Sequence, residues 1–224
     1  QAVWPRPEKR LTDASQRRTL TQQRMNAFAA QPLPNPPTQN SKLLPALFQS
    51  FDVGQAVTVF HVGSALPETV DFFSSYRCKL HFVDVFSALP IVNDEEQPPS
   101  LLQQFQQLLH FPEHTRFDIC LFWDLFNFLD SEAIRAFLAA LRPHLKRTSL
   151  AHAFSVHNSR IPQKNHYYYG VQQADTLSVR HRRATPPGYA PHSQRELMEL
   201  LDCFRVDRSV LLPDSRLELL LLRS

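Results

Sequence analysis

Four residues in this chain stand where a strand end could bring them to a ligand. Gly63, Asp84, Trp123 and Asp124 each lie at the carboxyl end of an apolar, β-branched or aromatic run. Glycine lets backbone approach a ligand closely, and a strand-end carboxylate can accept hydrogen bonds or act as a general base. Each carboxylate could instead cap the structure that follows it, and Trp123 could simply pack in the core. The residues alone leave both interpretations open.

Histidine and cysteine are the other residue types with chemistry to offer. His61 could be a base or bind an anion as a cation near neutral pH, or it could be a hydrogen-bonded interior histidine. The three cysteines lie far apart in apolar runs, so we expect neither a disulfide framework nor a Cys-x-x-Cys metal knuckle. Although His152 and His157 flank the exit of a predicted strand, we expect no metal site.

The elements that must position these residues follow from the periodicity of the apolar side chains. Short buried runs alternate with segments of helical spacing, a pattern typical of a Rossmann-like α/β domain with a mainly parallel sheet and flanking helices. Two late strands joined by a Pro-Asp-Ser turn predict a C-terminal antiparallel β-hairpin. The predicted strands are 57–62, 79–84, 117–123, 149–155, 205–212 and 217–222, and the predicted helices are 67–75, 101–109, 131–142 (capped by Ser131) and 193–203 (capped by Ser193).

The first 40 residues differ from the rest of the chain. The first 30 contain six basic and two acidic residues, and 14–30 has the spacing of a basic amphipathic helix. The proline-rich segment 31–37 cannot continue a helix, because proline fixes φ and lacks an amide donor. We therefore predict an arm and linker over 1–40, with a protein partner or a dimer contact through the arm, and an α/β domain over 41–224.

The local sequences resemble the class I methyltransferases over about 56–223. Residues 61–67, His-Val-Gly-Ser-Ala-Leu-Pro, are similar to the family's first motif, an acidic residue and a Gly-x-Gly-x-Gly turn, of which Gly63 remains. Asp84 matches the acidic residue that accepts hydrogen bonds from the ribose hydroxyls of S-adenosylmethionine. Residues 123–130, Trp-Asp-Leu-Phe-Asn-Phe-Leu-Asp, are similar to the Trp-Asp-x-x-Asn-Tyr-Leu-Asp stretch of some methyltransferase-like proteins.

The resemblance implies S-adenosylmethionine as cofactor and assigns roles to five residues. Asp124 is the implied catalytic residue, which would orient an acceptor or bind the cofactor amine. The implied cofactor-binding residues are Gly63, Ser64, Asp84 and Trp123. The family's third strand, which borders its adenine pocket, has no convincing counterpart between residues 85 and 116.

The lack of the family's glycines in the segment 61–67 determines which function we expect. Ala65 adds a Cβ and Pro67 lacks an amide donor in the loop that cradles the cofactor in the family, and the whole chain has four glycines. We expect a methyltransferase-like protein with reduced or lost catalysis. The alternative is a non-catalytic scaffold that binds a protein partner or nucleic acid on the same fold.

The segment 156–191 breaks the strand–helix rhythm and predicts a hairpin-bearing insertion. Tyr167–Tyr169 and Arg180–Arg183 combine aromatic faces with cations, as grooves for single-stranded nucleic acid do. In the family, an insertion at this position covers the acceptor pocket, so a lid or a protein-contact hairpin is an equal alternative. No apolar run approaches the roughly 20 residues of a membrane helix, so we expect no membrane partner. The three scattered cysteines favour a reducing, cytoplasmic setting.

Overall fold

The structure, a computed structural model, describes residues 36–51, 54–93, 99–161 and 163–224. The predicted amphipathic helix 14–30 lies outside the described residues. Within the described part of the chain, no helix has the length and apolar character needed to cross a membrane.

The main sheet has six strands: β2 Val57–Val62, β3 Cys78–Val83, β4 Phe117–Trp123, β5 Leu145–Val156, β8 Phe204–Leu211 and β9 Arg216–Arg223. Their order in the sheet is β3-β2-β4-β5-β9-β8. The first four are parallel, and β9 runs antiparallel to both β5 and β8. The described residues between β3 and β4 contain no strand. The sheet confirms the predicted Rossmann-like α/β fold and its C-terminal hairpin.

Helices cover both faces of this sheet, because its interior strands present apolar side chains on both sides. The helices are α1 Leu44–Phe48, α2 Pro67–Ser74, α3 Leu101–Leu108, α4 Ser131–Leu141 and α5 Gln194–Leu200. One buried cluster joins Phe60 and Phe122 to α3, α4 and α5, and a second joins Val59 and Leu121 to α1 and α2.

The helix caps confirm one sequence prediction and correct another. Ser193 caps α5 as predicted, in a capping box with Glu196. The cap of α4 is Asp130, whose carboxylate accepts a 2.8 Å hydrogen bond from the amide of Ala133. The prediction of Ser131 was therefore one residue late, because Ser131 already has helical backbone and the preceding carboxylate reaches the free amide.

A second, three-stranded antiparallel sheet lies on the α1 and α2 side. Its order is β1-β7-β6, with β1 Thr38–Asn40, β6 Tyr167–Gln173 and β7 Thr176–His181. The segment 156–191 thus contains the predicted hairpin. Residues 38–40, predicted as linker, pair with β7 instead. The proline-rich segment ends at Pro37, so the backbone amides of residues 38–40 are available to pair in a sheet.

Two buried charges on β9 attach this second sheet to the first. Arg216 and Glu218 are two residues apart, so their side chains leave the strand on the same face. The guanidinium of Arg216 donates to the Tyr169 hydroxyl at 2.6 Å, to Gln39 Oε1 at 2.5 Å and to Asp214 Oδ2 at 2.7 Å. Arg216 thereby joins β1 and β6 to β9.

Glu218 completes this attachment on the chain that follows β1. Its fully buried carboxylate is paired with His152 Nε2 at 2.8 Å and accepts bonds from the amide of Lys42 at 2.9 Å and from the Ser41 hydroxyl. The Ser41 oxygen in turn accepts the amide of Leu44 at 3.0 Å, at the start of α1. One carboxylate therefore holds in place both the residues that follow β1 and the start of α1.

Replacing Glu218 with Gln should destabilise the fold by about 1.5–3 kcal/mol at pH 7, the usual range for hydrogen bonds to a charged group. Burial by itself raises the pKa of Glu218, but hydrogen bonds from His152 and Ser41 outweigh it and the net shift is downward. This stability is present above the ordinary value of 4.5 and is lost as the pH falls through the folded-state value.

Urea unfolding at pH 7, 5 and 3.5 measures both effects, with Glu199→Gln as the matched control. Glu199 pairs with Arg195 on the exposed face of α5, where such a pair contributes at most about 1 kcal/mol. Equal stabilities of wild type and Glu218→Gln at pH 7 would contradict the role given to this carboxylate.

Candidate functional site

Asp84 stands just beyond the carboxyl end of β3 and is oriented by two serines. The hydroxyls of Ser64 and Ser87 both donate to its Oδ2, at 3.0 Å and 2.7 Å. Its Oδ1 has no hydrogen-bond partner among the described residues and almost no surface open to solvent, so a ligand reaches this oxygen only if the side chain turns. Each carboxylate oxygen can accept more than one hydrogen bond, so Asp84 is suited to accept one from a hydroxyl or amine.

A cleft of about 710 Å³ opens beside Asp84, within the size range of small-molecule sites. Ser64, Asp84 and Ser87 belong to the wall formed by the strand ends, and residues 180–187 contribute a second wall. Three arginines, Arg180, Arg182 and Arg183, and one carboxylate line the space. The cleft is therefore cationic on balance.

Arg182 divides this cleft from the space above Gly63. Its guanidinium carbon lies 4.1 Å from the centre of the Phe86 ring and 4.0 Å from that of Tyr168. Its Nε donates to the Tyr167 carbonyl at 3.0 Å. Behind this stack a void of about 10 Å³ remains, at or below the volume needed for one water molecule.

Gly63 lines that void and is required by its own backbone. Its φ is +106°, a region that residues with a side chain rarely adopt, and its amide donates to the Val83 carbonyl at 2.7 Å. A Cβ built on Gly63 would meet no atom within 4 Å. The backbone conformation, rather than crowding, therefore accounts for glycine here.

Trp123 also lines the void, but its ring is engaged within the protein. The ring stacks on Tyr169 at a centroid distance of 5.5 Å and on Phe154 at 6.5 Å. Its Nε1 donates to Nε2 of His61 at 3.2 Å, so the proton of the neutral imidazole lies on Nδ1. Burial lowers the pKa of His61 to about 4, and the ring is uncharged at neutral pH.

Asp124 is buried completely, beneath the hairpin. Both of its oxygens lack a hydrogen-bond partner among the described residues, and its side chain does not cap the 3-10 helix Leu125–Asn127 that follows. Burial raises the pKa of Asp124 to about 6, partly offset by the charges of Arg182 and Arg216. The site therefore holds a carboxyl that ionises reluctantly and has no contact with the open cleft.

The five predicted site residues thus fall into three groups. Ser64 and Asp84 meet at the cleft, Gly63 and Trp123 border the narrow void, and Asp124 lies buried. The sequence interpretation missed the Phe86–Arg182–Tyr168 stack, because nothing local relates residues so far apart in the chain. It also missed Ser87, for which the spacing of three residues after Asp84 was an available signal. The described residues contain no group of three or more His, Cys, Asp or Glu side chains that could hold a metal ion.

Comparison with known proteins finds likeness in structure alone. No protein-family model matches the chain, and no curated protein matches it. Similar solved structures include the 1,6-didemethyltoxoflavin-N1-methyltransferase of Burkholderia thailandensis, crystallised with S-adenosylhomocysteine, which is 14% identical with a TM-score of 0.47 over 100% of this chain and 93% of that one. A S-adenosylmethionine-dependent methyltransferase of Clostridium acetobutylicum is 10% identical, with a TM-score of 0.49 over 94% and 99% of the two chains.

A third similar structure is the N-methyltransferase NodS of Bradyrhizobium japonicum, 13% identical, with a TM-score of 0.45 over 95% of this chain and 98% of that one. At such identities the likeness concerns the fold. The assignment of this chain to a Rossmann-like fold with a C-terminal antiparallel hairpin rests on its own strand order.

Replacing Asp124 with Asn should stabilise the protein at pH 8 by up to about 3 kcal/mol, since each pKa unit is worth about 1.4 kcal/mol. The folded-state value of about 6 exceeds the ordinary 3.8, so wild-type stability falls as the pH rises between these values. The asparagine variant lacks this loss, and the two proteins should converge near pH 4.

Chemical unfolding at pH 4, 6 and 8 measures the difference, with Asp71→Asn on the exposed face of α2 as control. A variant less stable than wild type at pH 8 would show that the Asp124 carboxylate is paired as an ion with Arg182 or Arg216.

Proposed function

We propose that this chain is a methyltransferase-like protein that binds the adenosine part of S-adenosylmethionine at Asp84 and has lost methyl transfer. The observation that carries the proposal is the Phe86–Arg182–Tyr168 stack, which leaves the cleft beside Asp84 open and borders the narrow void lined by Gly63. The ribose end of the cofactor would therefore enter an open cleft, whereas its methionine end would meet a narrow void.

The ribose end fits the residues that are present. Asp84 lines the cleft, and its Oδ1 has no hydrogen-bond partner among the described residues. Ser64 and Ser87 both donate to its Oδ2 and so orient the carboxylate. The vicinal hydroxyls of a ribose are donors that such a carboxylate can accept, in a charge-assisted hydrogen bond.

The methionine end does not fit. The void lined by Gly63 and Trp123 holds about 10 Å³, far less than an amino-acid group needs. The Arg182 guanidinium at its boundary is positive, and so is the sulfonium that carries the methyl group, so the two repel. Asp124 is fully buried and does not line the cleft. These residues support binding without methyl transfer.

The alternative function, a scaffold for a protein partner or nucleic acid, has less support in the described residues. Tyr169 is buried and the ring of Tyr168 is covered by Arg182, so these faces are not free to stack on bases. The N-terminal arm lies outside the described residues, and a contact through it stays a prediction.

Calorimetric titration with adenosine and S-adenosylmethionine tests the proposal. Wild type should bind both with affinities within about threefold of each other, because the methionine end gains no contact. Asp84→Ala should weaken both by roughly ten- to a hundredfold, since a charge-assisted hydrogen bond is worth about 1.5–3 kcal/mol. Arg182→Ala should favour S-adenosylmethionine over adenosine severalfold, because it removes the like charge and opens the void.

Arg147→Ala is the control. Arg147 is exposed near the start of β5, whereas the cleft lies beyond the carboxyl ends of the parallel strands. Unchanged affinities in Asp84→Ala would show that the cleft is assigned wrongly. Wild type that binds S-adenosylmethionine far more tightly than adenosine would show that the methionine end is held, which contradicts the proposed closure of that end. Absence of binding to either compound would favour the scaffold.

A further inference from the structure

The three arginines that line the cleft differ in how far other residues of the protein already bind them. Arg180 pairs with Glu68 of α2, and Arg182 is held between two rings. Arg183 is exposed and makes no hydrogen bond or ion pair with any other described residue, and the exposed hydroxyl of Thr185 lines the same wall. One guanidinium with five donors is therefore unused beside the cleft.

This second wall is fixed in place at both ends. The amide of Arg182 donates to the His166 carbonyl at 2.8 Å, and the amide of Ala190 donates to the Asn127 carbonyl at 2.8 Å. Between them, Pro186 and Pro187 restrict the backbone. The wall that presents Arg183 is thus largely pre-formed, and a ligand would lose little affinity in ordering it.

Two kinds of binding group consequently face one cleft. On the strand-end wall, the Asp84 carboxylate accepts hydrogen bonds, so it selects hydroxyl or amine donors. On the second wall, Arg183 offers a planar fork of donors that matches phosphate oxygens, and Thr185 carries a hydroxyl group. A ligand that satisfies both walls carries hydroxyl groups and an anionic phosphate.

We propose that the cleft binds a ribose phosphate, with the ribose hydroxyls on Asp84 and the phosphate on Arg183. The contact of the ribose with Asp84 rests on the function proposed above, whereas the phosphate contact does not. S-adenosylmethionine carries a positive sulfonium and no phosphate, so it leaves Arg183 unpaired. A nucleotide and a free sugar phosphate share the required chemistry, and the ligand series separates them.

Calorimetry with adenosine, adenosine 5′-monophosphate and ribose 5-phosphate tests the proposal at low ionic strength. The monophosphate should bind at least tenfold more tightly than adenosine, and this advantage should shrink as salt screens the charges. Arg183→Gln should bring the two affinities within about twofold of each other while leaving adenosine binding unchanged. Arg147→Gln, which removes the same charge far from the cleft, should keep the full advantage.

Thermal unfolding of each variant checks that the fold is retained, as expected when an exposed arginine is replaced.

The ligand series identifies the kind of phosphate that binds. Ribose 5-phosphate that binds as tightly as the monophosphate identifies a sugar phosphate as ligand, and weaker binding identifies a nucleotide; both outcomes support the phosphate contact. Adenosine and its monophosphate with equal affinities, or an advantage that survives Arg183→Gln, would overturn it.

The two proposals fail in different ways. If adenosine binds and the phosphate adds nothing, the ribose phosphate proposal fails and the adenosine site stands. If adenosine does not bind but both phosphates do, with loss in Arg183→Gln, the adenosine proposal fails and the phosphate contact stands. Absence of binding by all three compounds would end both.

Discussion

The buried charges on β9 determine how this molecule is assembled. Arg216 and Glu218 are almost or completely removed from solvent, and a buried charge is very costly unless it is paired and hydrogen-bonded. Their partners come from β1, the start of α1, β5 and β6, which are far apart in the chain. Satisfying two adjacent charges therefore fixes the second sheet and the segment after Pro36 on one face of the main sheet.

The position of the hairpin then decides which strand ends stay open. Tyr169 on β6 binds Arg216 and stacks on Trp123, so its neighbour Tyr168 meets Arg182 above Gly63. The cleft beside Asp84, which follows the edge strand β3, is open. Asp124, directly after β4, is fully buried. Two strand-end carboxylates on one sheet thus differ in exposure.

The loss of glycines and the closure above Gly63 are consistent with each other. Ala65 adds a Cβ and Pro67 lacks an amide donor in the loop after β2, and the Phe86–Arg182–Tyr168 stack narrows the void lined by Gly63. The cleft beside Asp84 stays open in the same arrangement. A fold can keep one subsite and lose another, since function depends on particular side chains and not on the architecture that carries them.

The sequence by itself determined the alternation of strands and helices, the C-terminal hairpin and the position of Asp84 at a strand end. These follow from local periodicity and from the ends of apolar runs, which burial imposes on each segment separately. Only the tertiary structure decided that Arg182 stacks on Phe86, that residues 38–40 join β7 and that Asp124 is buried. Each depends on residues brought together from distant parts of the chain. Pairing charges and filling space between such elements produces no periodic pattern within any one segment, so the sequence alone does not predict these contacts.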